Sequence, residues 1–295
     1  MKKFIFGIFI SLLFIQHISG QQQDHHSSLL WKVTGKDLKE PSYLFGTLHL
    51  LTNAFIDTMP AVKESYAGTK TVVGELVIDS SLQLKMMEAS ALTGTTLKQV
   101  LPDSIYAMTS EWFAKEAGIG LEMLDGLNPM SVMTVAMAIA QQKHFPNPQG
   151  YVQLDSYFQE RAKQDGKKVI GLETIDVQIN ALFHNISLHR QAELLYSVMG
   201  SEKTIEEQMS LMYNAYVSQD LMTLNQLMYD DIYKPEEIKV LLDDRNISWI
   251  KQLPKIMKEQ PAFIAVGALH LTGEHGLVEL LRKQGYTVTA VKTNR

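Results

Sequence analysis

The sequence predicts an α/β fold: a central, mostly parallel sheet with large helical insertions. Three observations predict it. A helical run that ends near a glycine and leads into a β-branched run occurs three times, within 61–73, 157–170 and 277–291. Four apolar runs, Tyr43-Leu44-Phe45, Val72-Val73, Val169-Ile170 and Phe263-Ile264-Ala265-Val266, each stop at a glycine. Between these units lie long stretches of helix-forming residues, and alternation of this kind packs helices on a sheet.

Taken in order, Lys2 and Lys3 precede an apolar stretch from Phe4 to Ile15, and the chain turns polar at Ser19-Gly20-Gln21. That is the layout of a signal peptide, with removal expected near Gly20. The apolar run is too short to span a bilayer, so no membrane span is expected after the leader. Residues 21–295 are expected to form a single domain, periplasmic or secreted. Leu30-Trp31-Lys32-Val33-Thr34 and Tyr43-Leu44-Phe45 flank a polar turn with Gly35 and Pro41, which predicts a β-hairpin. Ala61 to Ala67, introduced by Pro60, reads as a helix that ends at a left-handed Gly68 before the strand Thr71-Val72-Val73. Asn128-Pro129 starts a helix whose Met130, Met133 and Met137 share one face, a pattern of core packing. His144, Pro146 and Pro148 mark a loop. Tyr157 to Gln164 reads as a helix that stops near Gly166, ahead of the strand Val169-Ile170. Residues 188–229 are helical in character, and Leu277 to Gln284 leads through Gly285 into the strand Tyr286 to Val291.

Composition removes several functions. The chain has 27 Lys and Arg against 32 Asp and Glu, and loss of the leader takes Lys2 and Lys3, leaving 25 against 32, a net −7. A phosphate-tracking surface needs a basic stripe, so no nucleic-acid partner is expected. Cysteine is absent, which excludes thiolate metal sites, a cysteine nucleophile and disulfides. No Gly-x-Ser-x-Gly elbow, Walker loop, dinucleotide fingerprint or His-Glu-x-x-His helix occurs.

The strand ends carry the chemistry. Gly46 is followed by His49, Gly74 by Glu75, Gly171 by Glu173 and Gly267 by His270. Ligands and reacting groups collect at strand ends in open α/β sheets. Two imidazoles and two carboxylates suit a divalent Zn, Mn, Co or Fe ion. One carboxylate could ligate while the other takes a proton from bound water. A histidine at a strand end is expected to contribute little to the core.

These stretches also resemble a known family. Tyr43-Leu44-Phe45-Gly46-Thr47-Leu48-His49, Val73-Gly74-Glu75, Gly171-Leu172-Glu173-Thr174 with Gln178, Arg245-Asn246 before Trp249, and Gly267-Ala268-Leu269-His270-Leu271-Thr272-Gly273 are similar to the motifs of the TraB/PrgY/GumN family, which includes the TIKI metallopeptidases. Gly276-Leu277, Leu280-Leu281 and Gly285-Tyr286-Thr287-Val288 complete the pattern, and Asp244 departs from it by the length of its acid. The resemblance implies a sheet with helical insertions like that of erythromycin-esterase-like and ChaN-like proteins. It also implies a metal held by His49, His270 and Glu75, with Glu173 and Arg245 at further catalytic positions. The expected activity is hydrolysis of a peptide or small amide substrate. The alternatives are a non-catalytic metal-, haem- or peptide-binding envelope protein of the same fold, and an assembly factor for envelope polysaccharide.

Overall fold

The computed structural model describes residues 28–146, 150–201, 203–229 and 232–293. The leader expected over residues 1–20, and Pro148 of the expected loop, lie outside the described residues. Strands β1 (Leu30–Thr34) and β2 (Ser42–Thr47) form the expected hairpin, with Leu30 opposite Phe45 and Val33 opposite Ser42. They join β3 (Thr71–Gly74), β4 (Lys168–Gly171), β5 (Ala262–Gly267) and β6 (Thr287–Ala290) in one sheet of order β4-β3-β5-β2-β1-β6. β4, β3, β5 and β2 run parallel to one another, while β1 is antiparallel to both β2 and β6. Of these six strands, β1 alone runs against the rest. β3 is buried at every position and β5 at five of six, as parallel strands covered on both faces must be.

Two of the three helix-to-strand junctions use a left-handed glycine, Gly166 at φ 67° and Gly285 at φ 90°. Gly68 departs from that expectation, with φ −72° in the right-handed region. There the backbone N–H and Oγ1 of Thr69 both donate to the Tyr66 carbonyl, at 3.2 and 2.8 Å, so the turn closes without a left-handed residue.

The second helix-to-strand unit shows how packing places functional groups. Its helix is Leu154–Gln164 and begins three residues before the expected start at Tyr157. Phe158 on its buried face meets Phe45 of β2 and Phe263 of β5, with ring centroids 5.5 and 4.8 Å apart. The extra turn sets Asp155 beside the end of β2.

A second apolar core lies among the helical insertions. Phe113, Met130, Val132, Met133, Leu194, Leu195 and Val198 belong to it. Met130 and Met133 are therefore core residues and Met137 is partly buried, as the shared face predicts.

Arg190 ties this region to the segment that approaches the sheet. Its guanidinium binds both Glu237 oxygens, at 2.7 and 3.0 Å, and donates to the Ile232 carbonyl at 2.7 Å. The hydrogen bonds from Arg190 hold the Glu237 carboxyl below its ordinary range, against the upward push of burial. A depressed carboxylate adds stability above its unfolded pKa and loses it as pH falls through the folded value. Arg190→Leu is therefore expected to cost about 2 kcal/mol at neutral pH. That cost should fade below about pH 4. Thermal melts of both proteins across pH test this, and a gap that persists unchanged in strong acid refutes it.

Candidate functional site

Parallel register brings the carboxyl ends of four strands side by side. Gly74 of β3 pairs with Gly171 of β4, and Thr47 of β2 with Gly267 of β5. The glycines admit close backbone approach. A Cβ on Gly46 would lie 2.9 Å from the Ala268 Cα, and one on Gly171 would lie 2.9 Å from the Val77 nitrogen. Backbone cannot swing aside as a side-chain tip can. Gly171→Ala is accordingly expected to destabilise by about 1–3 kcal/mol, and a denaturation midpoint equal to wild type refutes that.

Arg245 sits where these strand ends meet, with its side chain 9% exposed. Its Nε donates to both Glu173 oxygens, at 3.2 and 3.0 Å, and one terminal nitrogen reaches Glu173 Oε1 at 2.7 Å. That nitrogen also donates to Glu75 Oε2 at 2.6 Å. The other terminal nitrogen lies 3.0 Å from the Leu241 carbonyl and 3.1 Å from His270 Nε2. The local backbone explains the Leu241 contact. Lys239–Asp243 forms a π-helical turn, in which the Asp244 N–H bonds back to the Lys239 carbonyl. It runs straight into the helix Asp244–Trp249, which carries Arg245, Asn246 and Trp249. A π-turn interrupts the i to i+4 ladder and is frequent at functional sites.

The remaining partners fill the lone pairs of the two carboxylates. Glu75 Oε1 accepts from the Gly267 N–H at 2.9 Å, and Gln178 donates to Oε2 at 3.3 Å. Trp249 Nε1 donates to Glu173 Oε2 at 3.0 Å, and its ring lies 4.4 Å from that of His270. His270 follows β5 on the short 3₁₀ turn Ala268–Leu271 and is 3% exposed. Its Nε2 is 3.7 Å from Glu75 Oε1, and its Nδ1 is 2.8 Å from Asn246 Oδ1.

His49 is held separately. Its side chain is 81% exposed, with Nδ1 2.8 Å from Asp155 Oδ2. Thr47 anchors the other Asp155 oxygen through its hydroxyl, at 2.5 Å. Buried Tyr216 donates to the Gly46 carbonyl at 2.6 Å and steadies the end of β2.

These contacts set the charges. The hydrogen bond that His49 donates to Asp155, with the charge of that carboxylate, raises the imidazole of His49 above its ordinary value. Burial pushes the Glu75 carboxyl up. The charge that His270 gains in acid, the Arg245 guanidinium and the Gly267 N–H outweigh that push and hold Glu75 ionised well below the usual carboxylate range. Burial lowers the His270 pKa, so the ring is neutral near pH 7. Burial also raises Glu173, against the hydrogen bonds from Arg245.

Glu75, Glu173, Arg245 and His270 thus form one bonded cluster, and His49 follows the end of β2, the strand next to β5, by two residues with Asp155 beside its ring. Among the described residues, no three His, Cys, Asp or Glu side chains are grouped so as to hold a metal ion. The Arg245 N–H groups occupy the His270 Nε2 and Glu75 Oε2 positions that a cation would use. Sequence reasoning assigned no role to Asp155, Asn246, Trp249 or Gln178. Asp155 carried no signal, because an acid in the first turn of a helix is ordinary. Asn246, Trp249 and Gln178 stood in the motifs, but their contacts are made across the fold.

The sequence profile described as the TraB/PrgY/gumN family matches residues 29–290. The chain is 24% identical to a protein named Metalloprotease TIKI homolog from Nematostella vectensis, over 92% of this chain and 68% of that protein. It is 23% identical to Metalloprotease TIKI2 from Danio rerio, over 90% of this chain and 61% of that protein. Against Metalloprotease TIKI2 from Xenopus tropicalis the identity is 21%, over 91% of this chain and 60% of that protein. This chain therefore spans about three fifths to two thirds of the length of these relatives. No solved structure matches it.

Proposed function

The chain belongs to the TraB/PrgY/gumN family, and from that membership we propose that it is an exported metal-dependent hydrolase of peptide or similar amide bonds. The observation that carries the reading is the contact between ionised Glu75 and neutral His270 at the strand ends, with His49 just past the end of the adjoining strand. The names of the metalloprotease relatives support it. Export rests on the leader read at residues 1–20. No helix among the described residues is long and apolar enough to cross a membrane.

The donor set fits a divalent ion of the Zn, Mn, Co or Fe type in kind: two imidazoles and one ionised carboxylate, with no thiolate. His49, Glu75 and His270 would hold it, at lone pairs that Arg245 N–H groups partly fill here. Such an ion, when bound, polarises a carbonyl and lowers the pKa of a bound water. The protein supplies the rest. Glu173 and Trp249 hold Arg245 in place, and a substrate carboxylate or developing oxyanion would reach the guanidinium only by displacing one of the partners that take up its five N–H groups. Glu75 is poorly suited to take a proton while it is held so far below neutral pH, which favours its role as a charged anchor.

Metal content of purified protein, measured beside cleavage of a peptide library with and without chelator, tests the reading. The expected result is a bound divalent ion and chelator-sensitive cleavage. Glu75→Gln is expected to lower metal occupancy and rate together. Metal retained in that variant with turnover reduced about 10²–10⁴-fold would make Glu75 the base instead. Protein that holds no divalent ion and cleaves nothing in the library returns the chain to the binding-protein reading.

A further inference from the structure

We propose that Asn246 is a positioning residue that fixes His270 as the Nδ1–H tautomer, leaving Nε2 as the ring nitrogen that the site can use. Two independent constraints lead to the same proton position. The Asn246 amide nitrogen donates to two backbone carbonyls, those of His270 at 3.2 Å and His275 at 2.9 Å. Exchanging the amide nitrogen and oxygen would set that oxygen against both carbonyls. Such an arrangement has no hydrogen to share, so the network itself decides the amide orientation. Oδ1 is then the atom 2.8 Å from His270 Nδ1, and a carboxamide oxygen only accepts. Nδ1 must carry the proton.

The other face of the ring is constrained separately. Arg245 lies 3.1 Å from His270 Nε2, and a guanidinium has donors and no acceptor. Nε2 must therefore present its lone pair. The ring is neutral by hydrogen-bond complementarity alone, with its orientation braced by the Trp249 face 4.4 Å away.

Asn246 is 1% exposed and follows Arg245 directly, so one short helix supplies both the donor at Nε2 and the acceptor at Nδ1. The sequence Asn246-Ile247-Ser248 also has the form of a glycosylation acceptor. A buried amide with all three contacts made inside the protein has no room for that role in the folded state.

A ring nitrogen committed to an oxygen sets which nitrogen meets a ligand, and loss of such a partner weakens ligation about 10–100-fold. The meaning of the tautomer for catalysis rests on the hydrolase reading, whereas the tautomer itself does not. The test is long-range proton–nitrogen NMR on metal-free, 15N-histidine-labelled protein near pH 7, with His270→Gln used to assign the signal. The expected wild-type spectrum has His270 protonated at Nδ1 and bare at Nε2. A proton on Nε2 overturns the proposal, and this needs no Asn246 variant to fold.

Asn246→Leu removes the acceptor and Asn246→Asp keeps it, while both remove the two donors to the carbonyls. Nδ1–H should persist in Asn246→Asp, whereas in Asn246→Leu only the Arg245 contact at Nε2 still favours it, so a share of the Nε2–H form should appear. Identical His270 signals in the two variants would mean that Asn246 acts only as backbone glue. Zn²⁺ titration by competition with a chelating dye should show affinity falling about 10–100-fold in Asn246→Leu and recovering in part in Asn246→Asp. A wild type with the Nδ1–H ring that binds no Zn²⁺ and cleaves no peptide supports the tautomer assignment and counts against the hydrolase reading.

Discussion

Arg245→Leu is expected to cost about 3–5 kcal/mol of folding stability, the range for breaking a buried ion pair by removing one partner. Its guanidinium is the common partner of Glu75 and Glu173, whose side chains are 20% and 3% exposed. Removing it leaves a buried carboxylate pair with the Trp249 N–H, the Gly267 N–H and Gln178 as the remaining donors. The loss is therefore a desolvation penalty more than a lost attraction. Pairing the change with Glu173→Gln removes one of the two stranded charges and should recover part of the stability. Denaturant unfolding of the wild type, both single variants and the double variant measures the coupling. Strict additivity would show that the cluster is not energetically connected.

The two motif histidines are expected to behave differently when truncated. His49 is exposed but covers the buried Asp155 Oδ2, so His49→Ala should cost only about 1 kcal/mol. Turnover should still fall, by about 10²–10⁴-fold if the ring takes part in proton or ligand chemistry. His270 is buried among Trp249, Asn246 and Arg245, so His270→Ala opens a cavity and strands the Asn246 oxygen. That change should cost about 2–4 kcal/mol in addition to activity. Unfolding curves and cleavage assays on the same preparations separate the two effects. Equal stability losses would contradict the difference in burial.

The contrast marks the limit of what the sequence shows. Gly46 with His49 and Gly267 with His270 read as twins, yet one histidine caps a strand in solvent and the other is a core residue. Strand–glycine patterns report where a strand ends, and they do not report what packs over that end. The sheet was legible for a related reason. Apolar runs such as Phe263-Ile264-Ala265-Val266 are dictated by burial on both faces, a local requirement written in consecutive residues. The antiparallel place of β1 followed from the turn at Gly35, another local signal. Pairing across the fold left no such trace. Asp155 reaches His49 because Phe158 seats its helix against Phe45 and Phe263, and three-ring packing of that kind has no signature in spacing.

The π-turn at Lys239–Asp243 has a consequence for how this chain tolerates change in length. A π-turn holds one more residue than the α-turn it replaces, so it behaves as an insertion absorbed without breaking the helix. Everything after it inherits its angular phase. Deleting one residue from 239–243 would let the segment relax to ordinary α geometry with the later side chains still on their bearing, whereas straightening it with every residue kept would swing them by about 100° around the axis. Arg245, Asn246 and Trp249 would then leave the helix on another bearing, with the helix itself undamaged. The wide turn acts as a gear tooth, setting the direction in which the three side chains of that helix face.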